Sequence, residues 1–128
     1  MKPAPHLDCI WSVTFFLLSI CTTGVALPLS PCSLVLSPDG QSVFVAEAAA
    51  NQVVRVDLAT GRLRQVTPMP GTPSGLALSS DGKSLFVTIG DVTGRVVRLS
   101  LTDGHADVFP AAGHTLMAPV LSRDNRLL

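Results

Sequence analysis

Residues 34–67 read LVLSPDGQSVFVAEAAANQVVRVDLATGRLRQVT, and they recur in altered form at residues 76–110 as LALSSDGKSLFVTIGDVTGRVVRLSLTDGHADVFP. The turn Asp39-Gly40 returns 42 residues later as Asp81-Gly82, and Arg55 returns 43 residues later as Arg98. A fixed period in this range is typical of repeat architectures, in which each unit buries its apolar face against its neighbours.

Each unit contains four short apolar runs separated by turns. In the first unit the predicted strands are residues 33–36, 42–46, 53–57 and 62–67, with Gly, Pro, Asp and Ser between them. Closely spaced runs of this kind indicate an antiparallel meander. Four strands per unit at this period predict an all-β fold of β-propeller blades: two complete blades and the start of a third.

The third unit begins at residues 118–121 and repeats the turn as Ser122-Arg123-Asp124-Asn125. Asn125 stands where the other units have glycine, and asparagine tolerates the left-handed backbone that this position needs. Closed propellers have about four to eight blades. We therefore expect the chain to be a fragment of a longer propeller. The alternatives are a ring assembled from several copies and, least favoured, an open two-blade monomer.

Composition excludes some partners. The chain has 128 residues, 47% of them hydrophobic and 14% charged, and a formal net charge of zero. A nucleic-acid partner would require a basic surface, and the composition gives no sign of one.

The N-terminal segment is apolar, and residues 10–27 read IWSVTFFLLSICTTGVAL. Lys2 before this run and the small residues Gly24 and Ala26 near its end predict a signal peptide over residues 1–26, in a helix, with cleavage after Ala26. The protein would then be secreted or otherwise extracytoplasmic. The alternative is a retained membrane anchor over residues 10–27.

The predicted organisation after the signal is a short linker and the repeat region. Residues 27–32 form the linker, and residues 33–128 divide into blades at 33–73 and 74–115 and a partial blade at 116–128. Two of the three cysteines lie in the signal, so Cys32 is the cysteine of the processed chain. It is predicted to be a free thiol, with an intermolecular disulfide or a buried, inert role as alternatives.

The repeats SPDGQSVFVAE and SSDGKSLFVTI, each followed by an apolar strand and a Thr-Gly or Asp-Gly turn, resemble secreted propeller repeats of the YVTN/NHL type. They are also similar to gluconolactonase and strictosidine-synthase-like propellers. The gluconolactonase resemblance implies a channel metal, but Ser74-Gly75 and Thr88 or Gly90 stand where that family has ligands. Only Glu47 could supply an acid there, and one carboxylate does not hold such an ion. No cofactor or metal is therefore predicted.

Few residues carry recognisable chemistry. Asp39, Asp81 and Asp124 occupy equivalent turns, which favours turn capping over acid-base catalysis. Arg55 and Arg98 could bind anions along a groove or could lie on the solvated face of a strand. Together with Glu47, these two arginines are the candidate binding residues, and no catalytic motif is found.

These observations predict an exported propeller module for binding or scaffolding, with loops 47–52 and 89–94 presenting side chains at one rim. Its partner would be an unidentified protein or small molecule. The alternative is part of a propeller enzyme, either a lactonase or strictosidine-synthase-like hydrolase or a quinoprotein dehydrogenase, with active-site residues on blades outside this chain.

Overall fold

In the computed structural model, which describes residues 30–110 and 113–125, all regular structure is β-strand. No described helix is long and apolar enough to cross a membrane. The predicted signal helix lies outside the described residues. The strands are β1 (Pro31–Leu36), β2 (Ser42–Glu47), β3 (Gln52–Asp57), β4 (Leu63–Pro68), β5 (Pro73–Leu78), β6 (Ser84–Ile89), β7 (Arg95–Ser100) and β8 (Ala106–Pro110).

The strands form two separate antiparallel sheets, β1-β2-β3-β4 and β5-β6-β7-β8, which confirms the predicted fold class. We call them the first and second blades. β1 begins at Pro31, inside the segment predicted as a linker. A proline can occupy the start of an edge strand because its missing N–H is not needed by the sheet there.

The repeated Ser-x-Asp-Gly turns close the β1–β2 and β5–β6 hairpins through side-chain hydrogen bonds. Ser37 Oγ donates to Asp39 Oδ1 at 2.5 Å, and that same oxygen accepts the Gln41 N–H at 3.0 Å. The turn ends with a left-handed residue, with φ of 68° at Gly40, 69° at Gly82 and 60° at Asn125. The left-handed backbone that the sequence predicts for Asn125 is therefore confirmed.

The two blades pack face to face. Alternate residues of β2 and β3 point at the second blade, and Phe44, Ala46 and Val53 are at most 4% exposed there. The second blade contributes a larger set of side chains to the same core: Leu76, Leu85, Val87, Ile89, Val97 and Leu99. Since several of these residues are completely buried, the contact between blades is the main core of the described structure.

The other face of the first blade points away from this core. Its cross-strand rows are Leu34-Val45-Val54-Val66 and Leu36-Val43-Val56-Leu63. Leu34 is 71% exposed, whereas Leu76, the equivalent residue of the second blade, is 8% exposed. Leu34 and Leu76 thus differ in burial because, among the described residues, this face of the second blade packs against the first blade.

Side chains of the first strand of each blade bind the backbone of the next unit. Cys32 Sγ donates to the carbonyl oxygen of Pro73 at 3.1 Å. Ser74, the equivalent residue of the second blade, donates to the carbonyl of Leu116. At Gly75 an added Cβ would lie 2.7 Å from the backbone nitrogen of Ala118, so a side chain would not fit there. Residues 113–125 therefore lie against the second blade as β5 lies against the first.

Candidate functional site

One end of the blades is built from the β2–β3 and β6–β7 hairpins and from the two segments that enter the next unit. We call this surface, formed by residues 48–51, 69–72, 90–94 and 113–117, the hairpin rim. Backbone hydrogen bonds join its loops: Met69 N–H to Asn51 at 2.8 Å, Gly90 N–H to Thr72 at 2.9 Å and Thr115 N–H to Asp91 at 3.4 Å. The predicted loops 47–52 and 89–94 thus lie at the same end of the two blades.

The tips of the hairpin rim are apolar. Val92 is 76% exposed and Met117 is 74% exposed. The charges beside them are paired, because Arg95 forms an ion pair with Asp91 and also donates to the carbonyl of Pro70 at 3.1 Å. The Arg95 hydrogen bond holds the pKa of Asp91 below its usual value. This end therefore presents exposed apolar side chains beside a locally neutralised ion pair.

The outer part of the space between the blades forms a second candidate site, the inter-blade cleft around Arg55. On its first-blade side, a recess of about 320 Å³ is lined by residues of that blade alone: Gln41, Ser42, Arg55, Asp57 and Arg64. A neighbouring recess of about 250 Å³ reaches the turn residues Asp39 and Asp81. Arg55 lines both recesses, and its guanidinium carbon lies 5.6 Å from the centroid of the Phe44 ring.

The predicted binding residues do not form one site. Glu47 ends β2, is 7% exposed and accepts a hydrogen bond from Gln52 Nε2 at 2.5 Å. It points to the face away from the second blade, since its neighbour Ala46 faces the core. Arg98 lies in the other blade, where it is exposed and forms a salt bridge with Asp107 at 2.6 Å. Glu47, Arg55 and Arg98 therefore have three different environments.

Cys32 forms no disulfide within the part of the chain that the structure describes. Its thiol lies between two backbone carbonyls, those of Pro73 at 3.1 Å and Ala46 at 3.6 Å. The residue is exposed overall, yet its sulfur takes part in the contact between the blades.

The turn carboxylates act as caps, as the sequence predicts. The Ser37 hydroxyl and the Gln41 N–H lower the pKa of Asp39, and the Ser79 hydroxyl and the Lys83 N–H lower that of Asp81 in the same way. The described residues contain no group of three or more His, Cys, Asp or Glu side chains that could hold a metal ion. These aspartates stabilise the turns in their ionised form.

Sequence reasoning did not single out Val92, Met117 or Gln65, which the structure places in the two candidate sites. Val92 could have been noticed as an apolar residue in the polar loop Gly90-Asp91-Val92-Thr93-Gly94. Gln65 is the residue opposite Arg55, where Arg98 has Asp107 opposite it. A direct alignment of the two repeats matches Asp107 with Arg64 instead of Gln65, because β4 contains a bulge.

Solved structures that resemble the chain are β-propeller proteins. Hydrazine synthase of Kuenenia stuttgartiensis superposes with a TM-score of 0.70 at 22% identity, over 83% of this chain and 30% of that one. The WD40 repeats of RRP9 give 0.61 at 22% identity, over 69% and 28%. A putative 6-phosphogluconolactonase from Bacteroides uniformis gives 0.64 at 16% identity, over 77% and 32%.

These similarities establish the fold class of the chain as β-propeller blades. The chain spans about a third of the length of these structures. No family model and no curated protein matches it. The similar proteins include both a WD40 repeat protein and enzymes, so the fold leaves the activity open.

Proposed function

We propose that the chain belongs to an exported propeller that works as a binding or scaffolding module, and that the hairpin rim is its contact surface for a partner protein. The observation that carries the proposal is the exposure of Val92 and Met117 on loops that hydrogen bonds hold together. Exposed apolar side chains on a preorganised surface favour association with a protein, because little ordering entropy is lost on binding.

The charges of the hairpin rim support an apolar contact. Asp91 and Arg95 neutralise each other, and Thr93 Oγ1 donates to Asp91 at 3.1 Å. A partner therefore does not have to compensate an unpaired charge at this loop when it covers Val92. The proposed partner is a protein with an apolar patch.

Site-specific photocrosslinking tests the contact in the cells that produce the protein. A photoreactive side chain at position 92 or 117 is expected to yield an adduct of one discrete mass. Leu58 provides the control because it is 49% exposed at the opposite end of the blades. The proposal requires that Met117→Ser abolish the adduct formed from position 92. An adduct formed equally from position 58, or none from the hairpin rim, contradicts it.

The proposal also includes export of the protein and the type of its propeller repeats. The apolar segment at residues 10–27 supports a cleaved signal, and the two Ser-x-Asp-Gly turns support blades of the YVTN/NHL type. N-terminal sequencing of the protein recovered outside the cytoplasm is expected to start near Leu27. A start at Met1 in a membrane fraction would instead identify a retained anchor.

The competing proposal is a propeller enzyme whose active site lies on other blades. A lactonase of this kind would hydrolyse a sugar lactone, and its rate would not depend on Val92 or Met117. Hydrolysis that a longer protein containing both this chain and the further blades accelerates, and that Val92→Ser and Met117→Ser leave unchanged, would favour the enzyme over the binding module.

A further inference from the structure

Arg55 occupies a fixed position in the inter-blade cleft. Its Nε donates to Ser42 Oγ at 3.1 Å, and its guanidinium carbon lies 5.6 Å from the centroid of the Phe44 ring. Phe44 itself is 4% exposed and belongs to the core between the blades. The arginine head group is therefore held by a hydrogen bond and an aromatic face while its side chain stays half-buried.

Arg55 differs from the other arginines of the described strands in its charge environment. Arg64 pairs with Asp57 at 2.6 Å, Arg98 pairs with Asp107 at 2.6 Å, and Arg95 pairs with Asp91. Among the residues that the structure describes, Arg55 forms no salt bridge. Its positive charge faces the cleft without a carboxylate bound to it.

The cross-strand partner explains this difference. Arg98 lies opposite Asp107 in the β7–β8 pair, whereas Arg55 lies opposite Gln65 in the β3–β4 pair. The Gln65 amide donates to Thr67 Oγ1 at 3.3 Å. The first blade thus has a neutral amide where the second blade has the acid that neutralises its arginine.

The recess in front of Arg55 has the charge and size for one small anion. Its volume is about 320 Å³, and its one carboxylate, Asp57, is already bound by Arg64 and by the backbone and hydroxyl of Thr60. These contacts lower the pKa of Asp57 to about 2. Because Arg64 neutralises Asp57, Arg55 is the charged group of this recess that has no ion-pair partner among the described residues; the Asp39 carboxylate of the adjoining recess attracts it at longer range.

The aspartates of the adjoining recess limit the charge that an anion can carry. Asp39 and Asp81 line that space together with Arg55, and both remain ionised because hydrogen bonds lower their pKa. The Asp39 and Asp81 carboxylates would repel a dianionic phosphate. A ligand with a single carboxylate is repelled less and can bind the Arg55 guanidinium from the recess that contains Asp57. A planar carboxylate also matches the fork of N–H donors that arginine presents.

We propose that Arg55 binds the single carboxylate group of a peptide side chain in the inter-blade cleft, as a site separate from the hairpin rim. The first blade lacks the acid that occupies the equivalent place in the second blade, and the ligand supplies it. A single solvent-accessible charge pair predicts weak binding, with a dissociation constant on the order of 100 mM for a minimal carboxylate.

Titration followed by the arginine Nε–H resonances of the full chain tests this assignment. N-acetylglutamate amide is expected to shift the Arg55 resonance progressively as its concentration rises and to leave Arg98 unaffected. Inorganic phosphate is the comparison anion and is expected to bind more weakly. Stronger binding of phosphate than of the carboxylate would overturn the ligand class, and an unshifted Arg55 resonance would overturn the site.

Two reciprocal variants connect the result to the cross-strand partner. Gln65→Asp should supply an internal carboxylate and weaken binding at Arg55 at least about tenfold. Gln65→Asn is the matched control and should retain binding. Asp107→Gln should make Arg98 respond to the ligand. Equal binding by Gln65→Asp and the unchanged chain would refute the proposal, and either result leaves the crosslinks at the hairpin rim unaffected.

Discussion

The thiol of Cys32 donates to the carbonyl oxygen of Pro73 at 3.1 Å, so the first strand of one blade is bound to the backbone at which the next blade begins. Ser74 repeats this contact in the second blade, where its hydroxyl donates to the carbonyl of Leu116 and lies 3.1 Å from the carbonyl of Thr88. The same side-chain position therefore joins successive units with either a thiol or a hydroxyl.

Cys32→Ser should preserve this contact, because serine occupies the equivalent position 74. Cys32→Ala should lower the free energy of unfolding by about 1 kcal/mol, since the carbonyl of Pro73 loses its side-chain donor. Urea unfolding of the two variants measures the difference. A Cys32→Ala variant as stable as the unchanged chain would show that the thiol contributes no stabilising hydrogen bond.

The turn glycines provide a matched pair for substitution by alanine. Gly40 and Gly82 have φ of 68° and 69°, but an added Cβ at Gly82 would lie 3.2 Å from the ring of Pro38 in the first blade, whereas Gly40 has open space. Gly40→Ala should cost about 1–2 kcal/mol for the left-handed backbone alone. Gly82→Ala should cost more, because the turns of the two blades are in contact.

Asparagine is the control substitution for this prediction. Gly82→Asn should cost less backbone strain than Gly82→Ala, because Asn125 adopts φ of 60° at the equivalent position of the third unit. Thermal unfolding of the variants decides the order. An alanine at position 82 that is tolerated as well as one at position 40 would contradict a contact between the turns of the two blades.

Acid should destabilise the blades within a defined range. Asp57 has its pKa lowered from 3.8 to about 2 by Arg64 and Thr60, and hydrogen bonds lower the pKa of Asp39 and Asp81. A carboxylate that is more acidic in the folded state stabilises that state fully above its unfolded pKa. This contribution is lost as the pH falls through the folded pKa.

The free energy of unfolding should therefore decrease as the pH falls from about 4 to about 2. Asp57→Asn should show a shallower decrease than the unchanged chain, because it lacks one of the titrating groups. Urea unfolding at a series of pH values measures both slopes. Identical slopes would indicate that Asp57 titrates alike in the folded and unfolded states.

The repeated unit could be predicted from the sequence because the backbone conformation of its turns depends mainly on the turn residues themselves. The Asp-Gly turns and Asn125 impose a backbone conformation that depends on few neighbours, so the hairpins follow from them directly. Burial depends on the neighbouring blade instead. Leu34 and Leu76 belong to the same pattern, and no local signal distinguishes the exposed leucine from the buried one.

The candidate site around Arg55 could be predicted only in part. The equivalence of Arg55 and Arg98 follows from the period of 43 residues, but the same offset aligns Asp107 with Arg64. The bulge in the β3–β4 pair shifts the register and places Gln65 opposite Arg55. Because a bulge inserts one residue into one strand, the missing acid becomes visible only in the structure.

Two equivalent sheets pack face to face, with the second blade's Leu76 buried and the first blade's Leu34 exposed. The most direct test compares Leu76→Ala and Leu34→Ala by urea unfolding of the full chain. We expect a loss of about 2–5 kcal/mol for Leu76→Ala and of less than about 0.5 kcal/mol for Leu34→Ala. Equally small losses would contradict the packing between the blades, and equally large losses would contradict the exposure of Leu34.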